Sequence, residues 1–163
     1  MRHLHFGKLF FVVFSLLLAY TVSARKPIKT LLITGQNNHN WQVSHVVLKQ
    51  ILENSGRFDV DFVISPEQGK DMSGFVLDFS PYQLVVLDYN GDSWPEETNR
   101  RFLEYVQNGG GVVIYHAADN AFSKWPEFNR ICALGGWEGR NENSGPYVYW
   151  KDGKLVKDSS AGP

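Results

Sequence analysis

The sequence predicts a doubly wound α/β domain with a mostly parallel sheet and a C-terminal β-hairpin. Short apolar runs alternate with segments of helical periodicity, a pattern typical of strands that are joined by helices in a parallel sheet. Continuous apolar runs such as "IKTLLIT" (Ile28–Thr34) indicate strands that are covered on both faces. Asp152 and Gly153 separate two alternating runs, which favours a hairpin turn.

The first half of the domain is predicted to be strand, helix, strand. After the strand over Ile28–Thr34, "WQVSHVVLKQILENSG" has helical spacing, with Asn40 as a candidate cap and Gly56 as the stop. The alternation in "RFDVDFVIS" predicts a strand at the edge of the sheet. The apolar residues expected to line one side of this helix are Val43, Val46, Val47 and Ile51, with Leu48 as a further candidate.

The second half continues the alternation. Residues 66–81 form an irregular stretch, and "YQLVVLD" after it is the predicted third strand. The fourth predicted strand is "VVIYH", and "WPEFNRICAL" is predicted to be a short helix that follows it. In the helix between these strands, Ser93 and Glu96 have capping-box spacing, Pro95 occupies the first turn, and Asn108 with its glycines closes the helix. These glycines precede a strand, so they are interpreted as a helix stop and not as a phosphate-binding loop.

The N-terminal residues have the pattern of a secretory signal. "MRHLHFGK" is weakly basic, "LFFVVFSLLLAY" is apolar, and "TVSA" ends in small residues, which predicts cleavage after Ala24. An uncleaved anchor is the competing interpretation. We therefore expect residues 1–24 to be a signal peptide, residues 25–163 to form one domain, and the mature protein to be secreted across the membrane, with no membrane association. The tail "DSSAGP" closes no element, so the domain is expected to be incomplete at its C-terminus.

The amino-acid composition argues against some classes of binding partner and some kinds of chemistry. The 16 basic and 17 acidic residues nearly balance, and no basic stripe is present, which argues against nucleic acid. Cys132 is the only cysteine, so an intrachain disulfide is excluded, and its helical context indicates a packed residue and not a reactive thiol. The five tryptophans fall near loops and element ends, where they either fill the core or offer flat faces to a sugar.

Polar residues gather where the strands end. With a flavodoxin-like order, 2-1-3-4, the loops "GQNNHNW", "DYNGDSW" and "HAADN" are neighbours beyond the carboxyl ends of the strands, where such sheets bind ligands. His116 and His39 are therefore the candidate catalytic residues, because imidazole titrates near neutral pH. The candidate substrate-binding residues are Asp88, Asn90, Asp92, Trp94, Asp119, Asn120 and Trp41.

Other roles for this cluster stay open. Two histidines without a short fixed spacing are a weak metal pattern, so no metal ligand is assigned and no cofactor is specified. Asp and Asn also stabilise turns by bonding to nearby backbone, which is a structural alternative for the whole cluster. "IYHAAD" has the strand-turn-helix layout of a nucleophile elbow but carries no serine or cysteine, which disfavours acyl-enzyme chemistry.

The same residues resemble the ThuA-like (trehalose utilisation) family, whose members have a class I glutamine amidotransferase-like fold. The resemblance rests on "LLITGQNNHNW", "YQLVVLDYNGDSWPEETNRRFLEYVQNGGGVVIYHAADNAF", "WPEFNRICALGGW" and "GRNENSGPYVYWKDGK". It covers nearly all of the mature chain and is nearest to exported members of Bacteroidetes type, which implies a periplasmic location.

The resemblance also implies a function. ThuA-like proteins are associated with carbohydrate catabolism, including disaccharides oxidised to keto-sugars. His116 stands where amidotransferases of this fold carry their cysteine, which implies that glutaminase activity is absent, and complete family domains are longer. The leading hypothesis is a sugar-processing enzyme that binds a small saccharide. A non-catalytic carbohydrate-binding or protein-interaction module of the same fold is the alternative, and the oligomeric state is not predicted.

Overall fold

The computed structural model describes residues 26–133 and 146–160, so the predicted signal peptide and its cleavage site at Ala24 lie outside the described residues. The described chain is mixed α/β, with one parallel sheet and a separate antiparallel hairpin. The sheet strands are β1 (Ile28–Thr34), β2 (Phe58–Ile64), β3 (Leu84–Leu87) and β4 (Gly111–Ile114). The helices are α1 (Trp41–Asn54), α2 (Glu96–Gln107) and α3 (Pro126–Cys132), and the hairpin pairs β5 (Tyr147–Lys151) with β6 (Lys154–Asp158).

The sheet has the predicted strand order. The order is β2-β1-β3-β4 with parallel pairing throughout, and β2 lies at an edge as its alternation predicted. Because all four strands run the same way, their carboxyl ends meet at one edge of the sheet. The loops after β1, β3 and β4 therefore come together there.

The hairpin turn and the end of α2 also agree with the sequence. Asp152 and Gly153 both have positive φ, at 51° and 76°, as a type I′ turn requires. Asn108 caps the C-terminus of α2, and Gly109 follows with φ 89°. Residues 66–81 contain no helix or strand, as expected.

One face of the sheet carries most of the described core. Leu31, Ile33, Val85 and Leu87 point to this face, where they pack in one cluster with Phe102 of α2. The other residues of the cluster are mainly aromatic: Phe75, Phe79, Tyr89, Trp94 and Phe128. The rings of Trp94 and Phe102 meet edge to face with centroids 5.7 Å apart.

Of the apolar residues predicted to line one side of α1, only Leu48 meets the sheet. Val43, Val46, Val47 and Ile51 are 43–62% exposed. The helix packs Leu48 and Leu52 against Leu32, Val60 and Val86 on the second face of the sheet, and His45 is its one buried residue. The valines mark an apolar stripe correctly, but a second stripe on the same helix makes the contact with β1 and β2.

The prediction of a capping box at the start of α2 is also wrong. The helix begins at Glu96 with Pro95 at the N-cap, and no side chain caps it. Asn40 does occupy the N-cap position of α1, but its side chain makes no capping hydrogen bond. β4 ends at Ile114, two residues before the histidine with which the predicted strand ended.

Candidate functional site

Two histidines face one another at the carboxyl edge of the sheet. His39 lies in the loop between β1 and α1, and His116 follows β4 by two residues. Their ring centroids are 5.2 Å apart and the planes are tilted by 44°. Both side chains are exposed, and they share a cleft of about 370 Å³, the histidine cleft. Its other lining residues are Asn40, Val43, Ser44, Val47 and Tyr115.

Local hydrogen bonds hold each histidine. The His39 N–H donates to Oδ1 of Asn37 at 2.9 Å, which is an Asx turn, and the His39 carbonyl accepts the N–H of Trp41 at 2.9 Å. On the other side, the N–H of Ala118 donates to the Tyr115 carbonyl at 2.9 Å and closes a tight turn around His116. The two imidazoles are therefore carried by ordered backbone.

The apex of the turn after β4 is Ala117 and not His116. Ala117 is fully buried and has φ 72°, a left-handed conformation that costs an L-residue about 1–2 kcal/mol. This is the conformation of a nucleophile elbow, and the residue that occupies it has only a methyl group. The resemblance implies that His116 occupies the elbow position, and this placement is wrong by one residue, because the left-handed apex is Ala117 and His116 lies just before it.

Asp88 lies beneath the histidine cleft. Its side chain is 1% exposed and accepts hydrogen bonds from Nδ2 of Asn37 at 2.9 Å, from the Ser44 hydroxyl and from Oγ1 of Thr34 at 3.3 Å. Burial raises the pKa of this carboxyl, while the bonds from Ser44 and Thr34 and the nearby His45 and His39 oppose the rise. Asp88 thus supports the loop of His39 from inside, and the position predicted to bind substrate has no solvent-facing surface.

Asn90, Asp92 and Asn120 line a second cleft of about 540 Å³, the amide cleft. It lies between the loop after β3 and the loop after β4, and its other lining residues are Gly91, Ser93, Asn99, Phe122, Ser123, Lys124 and Trp125. Of the predicted site residues, the structure therefore brings three together here and the two histidines together in the other cleft.

The two clefts are joined by one amide pair. The Asn38 N–H donates to Oδ1 of Asn90 at 3.2 Å, and Nδ2 of Asn90 donates to Oδ1 of Asn38 at 3.1 Å. Since Asn38 precedes His39 and Asn90 lines the amide cleft, the loops that carry the two clefts are fixed to one another.

The remaining predicted residues lie elsewhere. Trp94 is 3% exposed within the aromatic core, and Trp41 packs its ring near that of His45 with centroids 5.9 Å apart. Asp119 lies in a short 3₁₀ turn, Ala118–Asn120, and its Oδ1 is buried with no hydrogen-bond partner among the described residues. The described walls of the two clefts contain none of the three.

Sequence reasoning missed Gln36 and Ser44. Gln36 is 5% exposed, and its Oε1 accepts the N–H of Asp92 at 2.7 Å while its Nε2 donates to the Pro66 carbonyl at 2.8 Å. Ser44 lines the histidine cleft and bonds to Asp88. The available indications were a polar residue two positions after a buried strand and a serine in the first turns of the following helix.

Cys132 lies in surroundings that disfavour its thiolate form. Burial raises the pKa of Cys132 to about 11, and the charge of Asp119 adds to the rise, so the thiolate is scarce at neutral pH. Within 26–133 and 146–160, no group of three His, Cys, Asp or Glu side chains is arranged to hold a metal ion. Over the same residues, none of the helices has the length and apolar character to span a membrane.

Comparison with protein-family models and with curated proteins found no match.

Proposed function

We propose that this protein is an exported, ThuA-like carbohydrate-processing enzyme in which His39 and His116 act as acid and base on a saccharide. The observation that carries the proposal is the pair of exposed imidazoles, 5.2 Å apart, in a cleft at the carboxyl edge of a parallel sheet. Ligands of open α/β sheets bind at this edge. The resemblance to ThuA-like proteins supports the choice of a saccharide, and the composition of residues 1–24 supports export.

Two facing imidazoles suit proton transfer next to a carbonyl. A neutral imidazole ring can accept a proton and a protonated ring can donate one, so two facing rings can serve as base and acid in one reaction. On a keto-sugar, one histidine would remove the proton from the carbon beside the carbonyl, and the other would protonate the carbonyl oxygen. The C–H bond breaks, a C=C bond forms, and the carbonyl becomes an enol hydroxyl, so no further reactant is needed.

Acyl transfer is not part of this proposal. It needs a nucleophile beside a base, and the elbow position next to His116 carries the methyl group of Ala117. The other possible nucleophile of an amidotransferase, Cys132, has a pKa of about 11 and lies at the end of α3. Glutamine hydrolysis is therefore not expected.

Proton exchange measured in D₂O tests the proposal directly. Incorporation of deuterium beside the carbonyl of a keto-disaccharide, followed by NMR, should be catalysed by the protein. His116→Ala and His39→Ala should each slow it by about 100-fold or more, the usual contribution of a general acid or base.

The matched control is His45→Gln. His45 is buried in α1 with Nδ1 2.6 Å from the Trp41 carbonyl, so it has no place in either cleft. Its substitution should leave exchange within about twofold in protein that melts cooperatively. Equal exchange by wild type and both cleft variants would refute the assignment of acid and base.

A protein-interaction role is the second candidate, and the outer stripe of α1 favours it. Val43, Val46, Val47 and Ile51 are exposed there, and Tyr115 adjoins them at 41% exposure. Contiguous exposed apolar side chains mark contact surfaces more often than scattered ones do. This role predicts concentration-dependent association in light scattering that Val46→Glu removes, without any dependence on His39 or His116.

A further inference from the structure

We infer that the amide cleft is a separate binding subsite for an uncharged, polyhydroxylated ring. The identification of this ligand as a saccharide rests on the proposed function. The cleft's volume of about 540 Å³ falls in the range of about 300–1,000 Å³ that small-molecule sites occupy.

The lining of the cleft selects a neutral polar ligand. Three amide side chains, a type of group that donates and accepts hydrogen bonds, come from three different segments; Oδ1 of Asn99 is buried, so that oxygen does not face a ligand. One acidic and one basic residue give the wall no net formal charge, so neither a strong anion nor a strong cation is favoured. The residues in question are Asn90, Asn99 and Asn120, with Asp92 and Lys124 as the charged pair.

An aromatic wall complements these amides. Trp125 lines the cleft and is fixed by stacking on Phe128, with ring centroids 5.7 Å apart and planes within 23°. Phe122 lines the same wall and meets Trp125 edge to face at 5.7 Å. A sugar ring presents C–H groups as well as hydroxyls, so a wall of rings beside amides satisfies both parts of its surface.

Gln36 holds one side of the cleft in place from below. Its Oε1 accepts the Asp92 N–H at 2.7 Å and its main-chain carbonyl accepts the Asn90 N–H at 3.0 Å. A Cβ atom at Gly91 would overlap the Gln36 side chain, so the loop passes over that side chain with no space to spare. The polar wall is therefore organised before a ligand arrives, which lowers the entropic cost of binding.

The Asn38–Asn90 amide pair connects this subsite to the reacting groups. A ligand that hydrogen-bonds to Asn90 contacts a side chain that is already bonded to the residue before His39. A saccharide held in the amide cleft thus lies against the loop system that orients the histidine cleft.

Calorimetric titration of the protein with trehalose, maltose and glucose, and separately with sodium phosphate, tests the subsite. Asn120 is exposed, and its backbone N–H donates to the Ala117 carbonyl. Its side chain makes no hydrogen bond with the other described residues. Asn120→Ala should weaken the affinity for at least one sugar by about 5-fold or more, the value of one or two lost hydrogen bonds. Asn54→Ala removes an exposed amide at the end of α1, away from both clefts, and should leave the affinity within about twofold.

The outcomes separate this inference from the proposed function. Weaker sugar binding in Asn120→Ala, with affinity retained in His116→Ala, supports the subsite whether or not proton exchange is catalysed. Sugar binding that His116→Ala abolishes and Asn120→Ala leaves unchanged overturns the subsite, even if the histidines catalyse exchange. Binding of phosphate alone, lost in Lys124→Ala, or no sugar binding at all, also overturns it.

Discussion

Asn37 and Asp88 are joined by a 2.9 Å hydrogen bond from the amide Nδ2 to the carboxylate Oδ1. The other end of the same amide accepts the backbone N–H of His39. One side chain thus links a carboxylate that is 1% exposed to the backbone of a cleft histidine. The position of His39 depends on a group that no substrate can contact directly.

The pH dependence of stability should reveal the buried Asp88. Burial raises the pKa of Asp88 in the folded protein above its ordinary value of about 3.9. As the pH rises above about 3.9, the unfolded protein releases this proton before the folded protein does. The stability that protonated Asp88 contributes is therefore lost between about pH 3.9 and the folded pKa. Asp88→Asn removes that loss while its amide can still bond to Asn37 and Ser44. The melting temperature of the variant, minus that of wild type, should therefore increase between pH 4 and pH 7.

Asp88→Ala is the companion variant. It leaves Thr34, Asn37 and Ser44 without their common acceptor, which should cost about 2–4 kcal/mol at pH 7. If the melting temperature of Asp88→Asn changes with pH in parallel with that of wild type, the raised pKa of Asp88 is contradicted.

Substitutions on the two sides of α1 should differ sharply in cost. Ile51 is 62% exposed, so Ile51→Lys should change the free energy of unfolding by no more than about 0.5 kcal/mol. Leu52 packs against the second face of the sheet, and Leu52→Ala should cost about 1–3 kcal/mol. Urea denaturation measures the free energy of unfolding of both variants. An equal loss in Ile51→Lys and Leu52→Ala would contradict the exposure of the outer stripe of α1.

Ala133→Gly should stabilise the protein. Ala133 caps the C-terminus of α3 with φ 60° and is exposed, so glycine relieves the left-handed strain without loss of packing. We expect a gain of about 0.5–1 kcal/mol in thermal unfolding. Ala121→Gly serves as the control, because Ala121 is buried with φ –66° and should lose stability instead.

Cys132 should alkylate slowly. With a pKa of about 11 against about 8.5 for a free thiol, its reaction with iodoacetamide at pH 8 should be at least about tenfold slower than that of free cysteine. Because it is the only cysteine of the chain, mass spectrometry reports its labelling without ambiguity. Guanidinium should restore the ordinary rate, and rapid labelling of the folded protein would contradict the burial.

Strand order and the meeting of the polar loops could be predicted from the sequence because they follow from local pattern and parallel connection. Runs such as Ile28–Thr34 are long enough to identify a buried strand, and the loops after β1, β3 and β4 must then share an edge. This brought His39 and His116 together correctly, although they are distant along the chain.

The division of the site into two clefts could not be predicted in this way. It depends on side-chain direction: Asp88 turns inward to Ser44 and Thr34, while Asp92, four residues later, lines the amide cleft. Likewise α1 has apolar residues on two sides, and periodicity alone does not tell whether Ile51 or Leu52 meets the sheet. Trp94 lies in the core because Phe102 and Phe122 enclose it, which spacing along the chain does not show.

The left-handed Ala117 beside His116 has an evolutionary consequence. Every alanine codon is one base from a serine codon, so a hydroxyl could arrive at the apex of this turn by a single mutation. It would follow His116 in the chain and occupy the left-handed backbone position that hydrolases give to their attacking residue. The backbone conformation that such a nucleophile needs is therefore already present, while its exposure to substrate is not, because Ala117 is fully buried.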